Sequence, residues 1–171
     1  MSAIQQRTTQ VADRVKVRPR PRVAVLEWTD PPFAPGHWIP EMVWLAGGDP
    51  VIGVAGAASR PISWDDVKAA QPDVVVVAAC GYDRQATTVL VCDLTSRGVL
   101  PPGVRMVAVD ANASWARPGT RLVDGIEELA NYLHPATDHG LARSDRCSDG
   151  TATGVALVWQ DSALDPQPAS R

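Results

Sequence analysis

The sequence predicts an α/β fold, a mostly parallel four-stranded sheet with helices on both faces. The run Asp73–Ala79 (DVVVVAA) is β-branched with no polar alternation, which suits the middle of a parallel sheet covered on both sides. Strand-like runs alternate with stretches of helical spacing along the chain, the order expected of an α/β layer structure. Helix stops and turn signals separate them, at Gly47-Gly48, Gln71-Pro72-Asp73 and Gly98.

Each element has its own reason. Ile4, Val11 and Val15 in a polar setting predict an exposed helix over 4–17, which the RPRPR run at Arg18–Arg22 ends. Val23–Trp28 reads as the first strand, feeding a loop that begins at TDPP. Pro40 suits the first turn of a helix over 40–46, with Met42, Val43, Leu45 and Ala46 as its apolar residues. A short second strand is expected over 50–56. Ser63 with Asp66 three residues on reads as a capping box opening a helix through Ala70. After the third strand, 73–79, Ala86, Val89, Leu90 and Leu94 predict a helix over 83–97. The fourth strand is 104–109, and Leu122, Ile126, Leu129 and Leu133 form the inward face of a helix over 120–133. Residues 136–171 are polar and rich in small side chains apart from Gly154–Trp159, so a disordered or loosely docked tail is expected there.

Composition narrows the function. A chain of 171 residues, 45% hydrophobic, buries one core. Its net charge of −3 offers no basic field for a polyanion, which argues against nucleic acid or an anionic membrane surface as partner. Cys80, Cys92 and Cys147 show no CxxC spacing and read as small buried or half-buried residues rather than a disulfide framework or zinc site. His37, His134 and His139 lie in unrelated segments, so no metal set is expected. The first 22 residues are polar and basic without the apolar stretch of a secretory signal, and as written the sequence predicts a cytoplasmic location. Neither a G-x-S-x-G elbow nor a phosphate-binding glycine loop occurs.

Ligands of open α/β sheets bind beyond the carboxyl ends of the strands. Three loops leave that edge, over 29–38, 80–83 and 110–119, and they carry Phe33, His37, Trp38, Tyr82, Trp115 and Arg117. That is an aromatic rim with few titratable groups. Trp28 and Trp44 are expected to pack in the core, and Trp64 to act as a staple beside its helix cap. Phe33, Trp38 and Trp115 suit either display or packing. His37 suits a ligand contact or a cap on the next helix. A different reading makes the chain a small α/β enzyme or regulatory domain using the same sheet edge, with His37 and Glu41 as acid and base.

The stretches RPRVAVLEWTDPPFAPGHWIPEMVWLAGG, SWDDVKAAQPDVVVVAACGYD and VDANASWARPGTRLVDGIEELANYL, at Arg20–Gly48, Ser63–Asp83 and Val109–Leu133, carry a resemblance. Over about Arg20 to Pro135 they resemble the C-terminal lobe of the vitamin B12 and iron-siderophore type substrate-binding proteins of ABC importers, most closely the cobalamin-binding subgroup. The resemblance implies two α/β lobes joined by a long helix, a ligand held in the cleft between them, and docking onto a membrane permease. Residues 1–21 would be a remnant of the interlobe helix and linker, 22–135 the C-terminal substrate-binding lobe and 136–171 a tail. The family's N-terminal lobe has no counterpart in the sequence, so a truncated or split product is implied, with self-association through an exposed half-cleft as one consequence and an inert lobe as another. By position, Phe33, His37 and Trp38, then Cys80, Gly81 and Tyr82, then Ser114 and Trp115 would face the cleft. The implied ligand is cobalamin, a related corrinoid or another metal chelate, bound as cargo with no cofactor and no catalysis. A corrin ring wants apolar plates, a few donors and little charge.

Overall fold

The computed structural model describes residues 2–135 and the strand Ala156–Val158. Its elements in chain order are α1 (Ala3–Val15), β1 (Arg22–Leu26), β2 (Trp28–Thr29), β3 (Pro32–Ala34), α2 (Ile39–Leu45), β4 (Asp49–Pro50), β5 (Arg60–Pro61), α3 (Trp64–Ala69), β6 (Val74–Val77), α4 (Arg84–Ser96), β7 (Arg105–Ala108), α5 (Ala111–Ser114), α6 (Leu122–Leu133) and β8 (Ala156–Val158).

The four predicted strands lie side by side as a parallel sheet, and β8 adds a fifth, in the order β4-β1-β6-β7-β8. The valine run holds the centre. Val74–Val77 pairs residue by residue with Val23–Leu26 on one side and Arg105–Ala108 on the other, and all four valines are completely buried. Alternate side chains of these strands feed two cores, as the pleat demands. Val23, Val25, Val74, Val76 and Val107 meet α1, α2, α5 and α6; Ala24, Leu26, Val75, Val77 and Met106 meet α3 and α4. Helices therefore cover both faces.

The helix starts follow their caps. Ser63 and Asp66 form the predicted reciprocal box on α3, Asp83 caps α4 through the amide of Ala86, and Ser2 with Gln5 boxes the start of α1. Arg7 fastens α1 to α6, at 2.7 Å from Asp124 and 2.6 Å from Glu127.

Several features depart from expectation. The first predicted strand is two: β1 stops at Leu26, and Trp28–Thr29 turns back on Pro32–Ala34 in a small antiparallel sheet, β2-β3-β5. The hairpin turns through Asp30-Pro31, whose peptide bond is cis. The second predicted strand shrinks to Asp49–Pro50, and the chain beyond it turns at Gly53, whose φ is +92° and where a Cβ would overlap the carbonyl of Pro35. Ala111–Ser114, predicted as loop, is a short helix capped by Asp110. The expected tail lies outside the described residues, except that Ala156–Val158 pairs with β7 as a strand. Cys92 is disulfide-bonded rather than a simple packed thiol. Cys80 is free, and Cys147 lies outside the described residues.

Candidate functional site

The sheet order places a switch point between β1 and β6. From β1 the chain leaves through α2 toward β4; from β6 it leaves through α4 toward β7, on the opposite side. Such divergence opens a crevice beyond the strand ends, where ligands of doubly wound sheets bind. Here the crevice is edged by the residues just past Leu26 and Val77.

Those residues are aromatic. The rings of Trp28 and Tyr82 meet edge to face with centroids 5.3 Å apart. Trp28 lies opposite Phe33 in the hairpin, so both side chains leave the same face of the ribbon, and Pro61 lies opposite Phe33 on its other side. Trp28, Phe33 and Tyr82 are each half-buried. They line up as an aromatic edge held by backbone: the amide of Glu27 donates to Phe33 O at 3.1 Å, Cys80 to Glu27 O at 3.2 Å, and Asn112 to Tyr82 O at 3.3 Å. The Trp28 indole N–H is already satisfied by Asp30 O at 3.1 Å, which fixes the plate.

A second aromatic pair faces the other layer. Trp38 Nε1 donates to the carbonyl of Trp115 at 2.9 Å and so ties the segment before α2 to the segment after β7. Trp115 is only 1% exposed and is among the largest fully buried side chains. The expectation that Trp115 and Ser114 face the cleft is therefore corrected: α5 turns them inward, Trp115 against the core with Ile126 and Leu129, and Ser114 buried at 8% exposure. Trp38 is half-buried and serves as much to join loops as to present a surface.

His37 is exposed and in the left-handed region at φ 50°. Two backbone bonds of 2.8 Å hold it there, from its own amide to Ala57 O and from the Gly56 amide to its carbonyl, and Gly36 makes room because a Cβ would overlap Ala57 O. Its ring lies 5.7 Å from that of Trp38. It makes no cap on α2, whose N-cap residue is Trp38. Cys80 and Gly81 are exposed at the rim, and Gly81 takes φ +86° with open space around it. Burial and the charge of Glu27 raise the Cys80 thiol above its usual range, so it is not an activated nucleophile. Among the described residues no hydrogen bond or ion pair joins His37 to Glu41, and no group of three His, Cys, Asp or Glu side chains is placed to hold a metal.

The structure thus brings Phe33, Cys80, Gly81 and Tyr82 to one edge, places Trp38 against Trp115 on the other layer with His37 exposed next to it, and buries Ser114 and Trp115. Trp28, half-buried and packed against the second core as expected, also joins the edge through its ring contact with Tyr82. The sequence signal for it is the turn TDPP, which folds the strand end back and leaves Trp28 facing Tyr82. Trp44, also expected inside, is 52% exposed, with the Arg20 guanidinium 3.8 Å above its ring.

No family model and no curated protein matches the sequence. Solved structures match the fold. An ABC transporter substrate-binding protein from Listeria monocytogenes superposes with a TM-score of 0.67 at 18% identity, over 77% of this chain and 54% of that one. A periplasmic heme-binding protein of Vibrio cholerae gives 0.58 at 18% identity, over 77% and 53%. A periplasmic binding protein from Veillonella parvula gives 0.55 at 21% identity, over 77% and 48%. The chain spans about half the length of these proteins.

Proposed function

We propose that this chain is a ligand-binding lobe of an ABC-transporter substrate-binding protein, that it corresponds to the C-terminal lobe, and that its cargo is cobalamin or a related corrinoid. The observation that carries the reading is the aromatic edge at the switch point, Trp28 against Tyr82 with Phe33 alongside. Flat, half-buried plates, with the Trp28 indole N–H already satisfied by Asp30 O, suit a large, mostly uncharged ring system, which gains from apolar contact. His37 supplies a donor at the margin. The three similar solved proteins named above are an ABC transporter substrate-binding protein, a periplasmic heme-binding protein and a periplasmic binding protein, which favours cargo over catalysis. A second lobe supplies the facing wall, and a permease is the expected docking partner. The disulfide at Cys92 is consistent with an oxidising compartment, as for exported relatives.

The test is a tryptophan-fluorescence titration of the folded chain with cyanocobalamin and, in parallel, hemin, each corrected for inner-filter absorption. The corrinoid is expected to quench saturably, and Tyr82→Ala to weaken it by about tenfold or more, a loss of roughly 1.4 kcal/mol in line with a lost aromatic contact. Saturation by hemin alone would move the cargo to an iron tetrapyrrole. Saturation by neither, in a chain shown to be folded, would sink the reading.

A further inference from the structure

One concavity lies away from the aromatic edge. It is an open hollow between the outer flank of α2 and the loop after β4, of about 660 Å³, lined by Pro40, Glu41, Trp44, Leu45, Pro50 and Val54 together with the small Gly53 and Ala55. That volume falls within the usual range for small-molecule sites. None of its residues belongs to the Trp28–Tyr82 edge.

Its walls are fixed. Glu41, Trp44 and Leu45 share one side of α2 by their spacing. The Trp44 ring is held by Arg20, which stacks over it and donates to Trp44 O at 2.8 Å and Gly48 O at 2.9 Å. The opposite wall is pinned where Gly53 packs against Pro35 and where Gly56 and Ala57 bond His37. Large apolar groups stand in water here, Trp44 at 52% and Val54 at 65% exposure. A preformed apolar hollow with exposed tryptophan and valine gains by being covered.

Charge decides which ligand covers it. Glu41 is the one ionisable group in the lining, and among the described residues it has no ion pair or hydrogen bond. The nearby cation, Arg20, is occupied by two carbonyls and the indole and does not line the hollow. The only formal charge in the lining itself is therefore negative, on the exposed Glu41 carboxylate, so a cation seated there gains an ion pair that a neutral ligand or an anion does not. We propose that this hollow is a second binding site, for a small organic cation whose apolar ring or alkyl body lies on Trp44, Pro40 and Pro50 and whose ammonium group pairs with Glu41. The site belongs to the lobe itself and does not depend on the cargo of the strand-end crevice.

Two probes of equal shape separate charge from apolar contact: 2-phenylethylammonium and 2-phenylethanol, followed by chemical-shift changes in the isotope-labelled chain. Saturable shifts are expected at the Trp44 indole, the Gly53 amide and the Val54 methyls, with Trp28 and Tyr82 unmoved. The ammonium should bind about three- to tenfold more tightly than the alcohol. Glu41→Gln should make the two probes equal while the spectrum stays that of a folded chain, and Trp44→Ala should remove both. Equal affinity for the two probes in the unaltered chain would overturn the proposal, as would shifts centred on the strand-end edge. Shifts of Trp44 and Val54 that track protein concentration with no probe present would assign the hollow to a second copy instead and overturn it equally.

Discussion

The two faces of the sheet treat their aromatic residues differently. On the face covered by α1, α2, α5 and α6, Trp115 is sealed in, Trp38 commits its only side-chain donor to Trp115 O, and His134 closes the far end against Gly47. On the face covered by α3 and α4, Trp28, Trp64 and Tyr82 remain half-buried at the margin of the core. The same residue types at the same sheet edge therefore do two kinds of work. The difference lies in the segment that each strand feeds. Beyond β7 the chain enters α5 at once, and its helical turn drives Trp115 inward; beyond β1 and β6 it enters a hairpin and a glycine turn, which leave Trp28 and Tyr82 at the surface. One face is a keystone and the other a display.

Removing the keystone should cost the most. Trp115→Ala empties a fully buried site next to Ile126 and Leu129, and losses of about 3–5 kcal/mol accompany such truncations. Tyr82→Ala, at a half-exposed site, should cost at most about 1–2 kcal/mol of stability while weakening ligand quenching about tenfold or more. Urea midpoints with unchanged slopes read both. If the two variants were equally destabilised, the division between keystone and display would fail.

A smaller effect sharpens the same division. Trp38→Phe keeps a ring at the loop junction but deletes the N–H that reaches Trp115 O, leaving that carbonyl without its donor. A loss of about 1 kcal/mol is expected. Trp28→Phe deletes the comparable bond to Asp30 O, but on an exposed turn where water replaces the partner, so its cost should be near zero. Denaturant midpoints of the pair provide the check.

The architecture is legible in the sequence for local reasons. The valine run, the Ser63–Asp66 box and the glycine stops each act within a few residues, so their meaning survives without tertiary context. The aromatic sites read less clearly. Trp28 and Trp115 each lie just past a strand and look alike in composition, yet their fates depend on pairings with Phe33 and on packing of α5 against α6, contacts between segments distant in the chain. Trp44 is hard to place because helical spacing allows it either side of α2's boundary, and only the position of Arg20 across the RPRPR stretch shows which side faces out. The β2-β3-β5 sheet leaves no readable trace, because its strands of two or three residues hold too little pattern for a period-two signal.

The gentlest probe of the comparison is pH. His134 ends α6, is buried, and its Nε2 lies 3.1 Å from Gly47 O, a contact that requires the proton to sit on that nitrogen. Burial pushes its pKa below 6.5, the bond to Gly47 opposes that, and the positive charges of Arg18, Arg14 and Arg20 add to the lowering. The folded chain thus holds His134 neutral where the unfolded chain would take up a proton. Stability from this residue is complete above pH 6.5 and is lost as pH falls from there through the lowered folded value. Between about pH 7.5 and pH 5.5 the wild-type midpoint should decline, and His134→Gln should flatten that decline because it keeps a donor for Gly47 O but has no proton to gain. If His134→Gln left the slope as steep as in the unaltered chain, the pH sensitivity would not belong to the buried layer closed by His134 and Gly47.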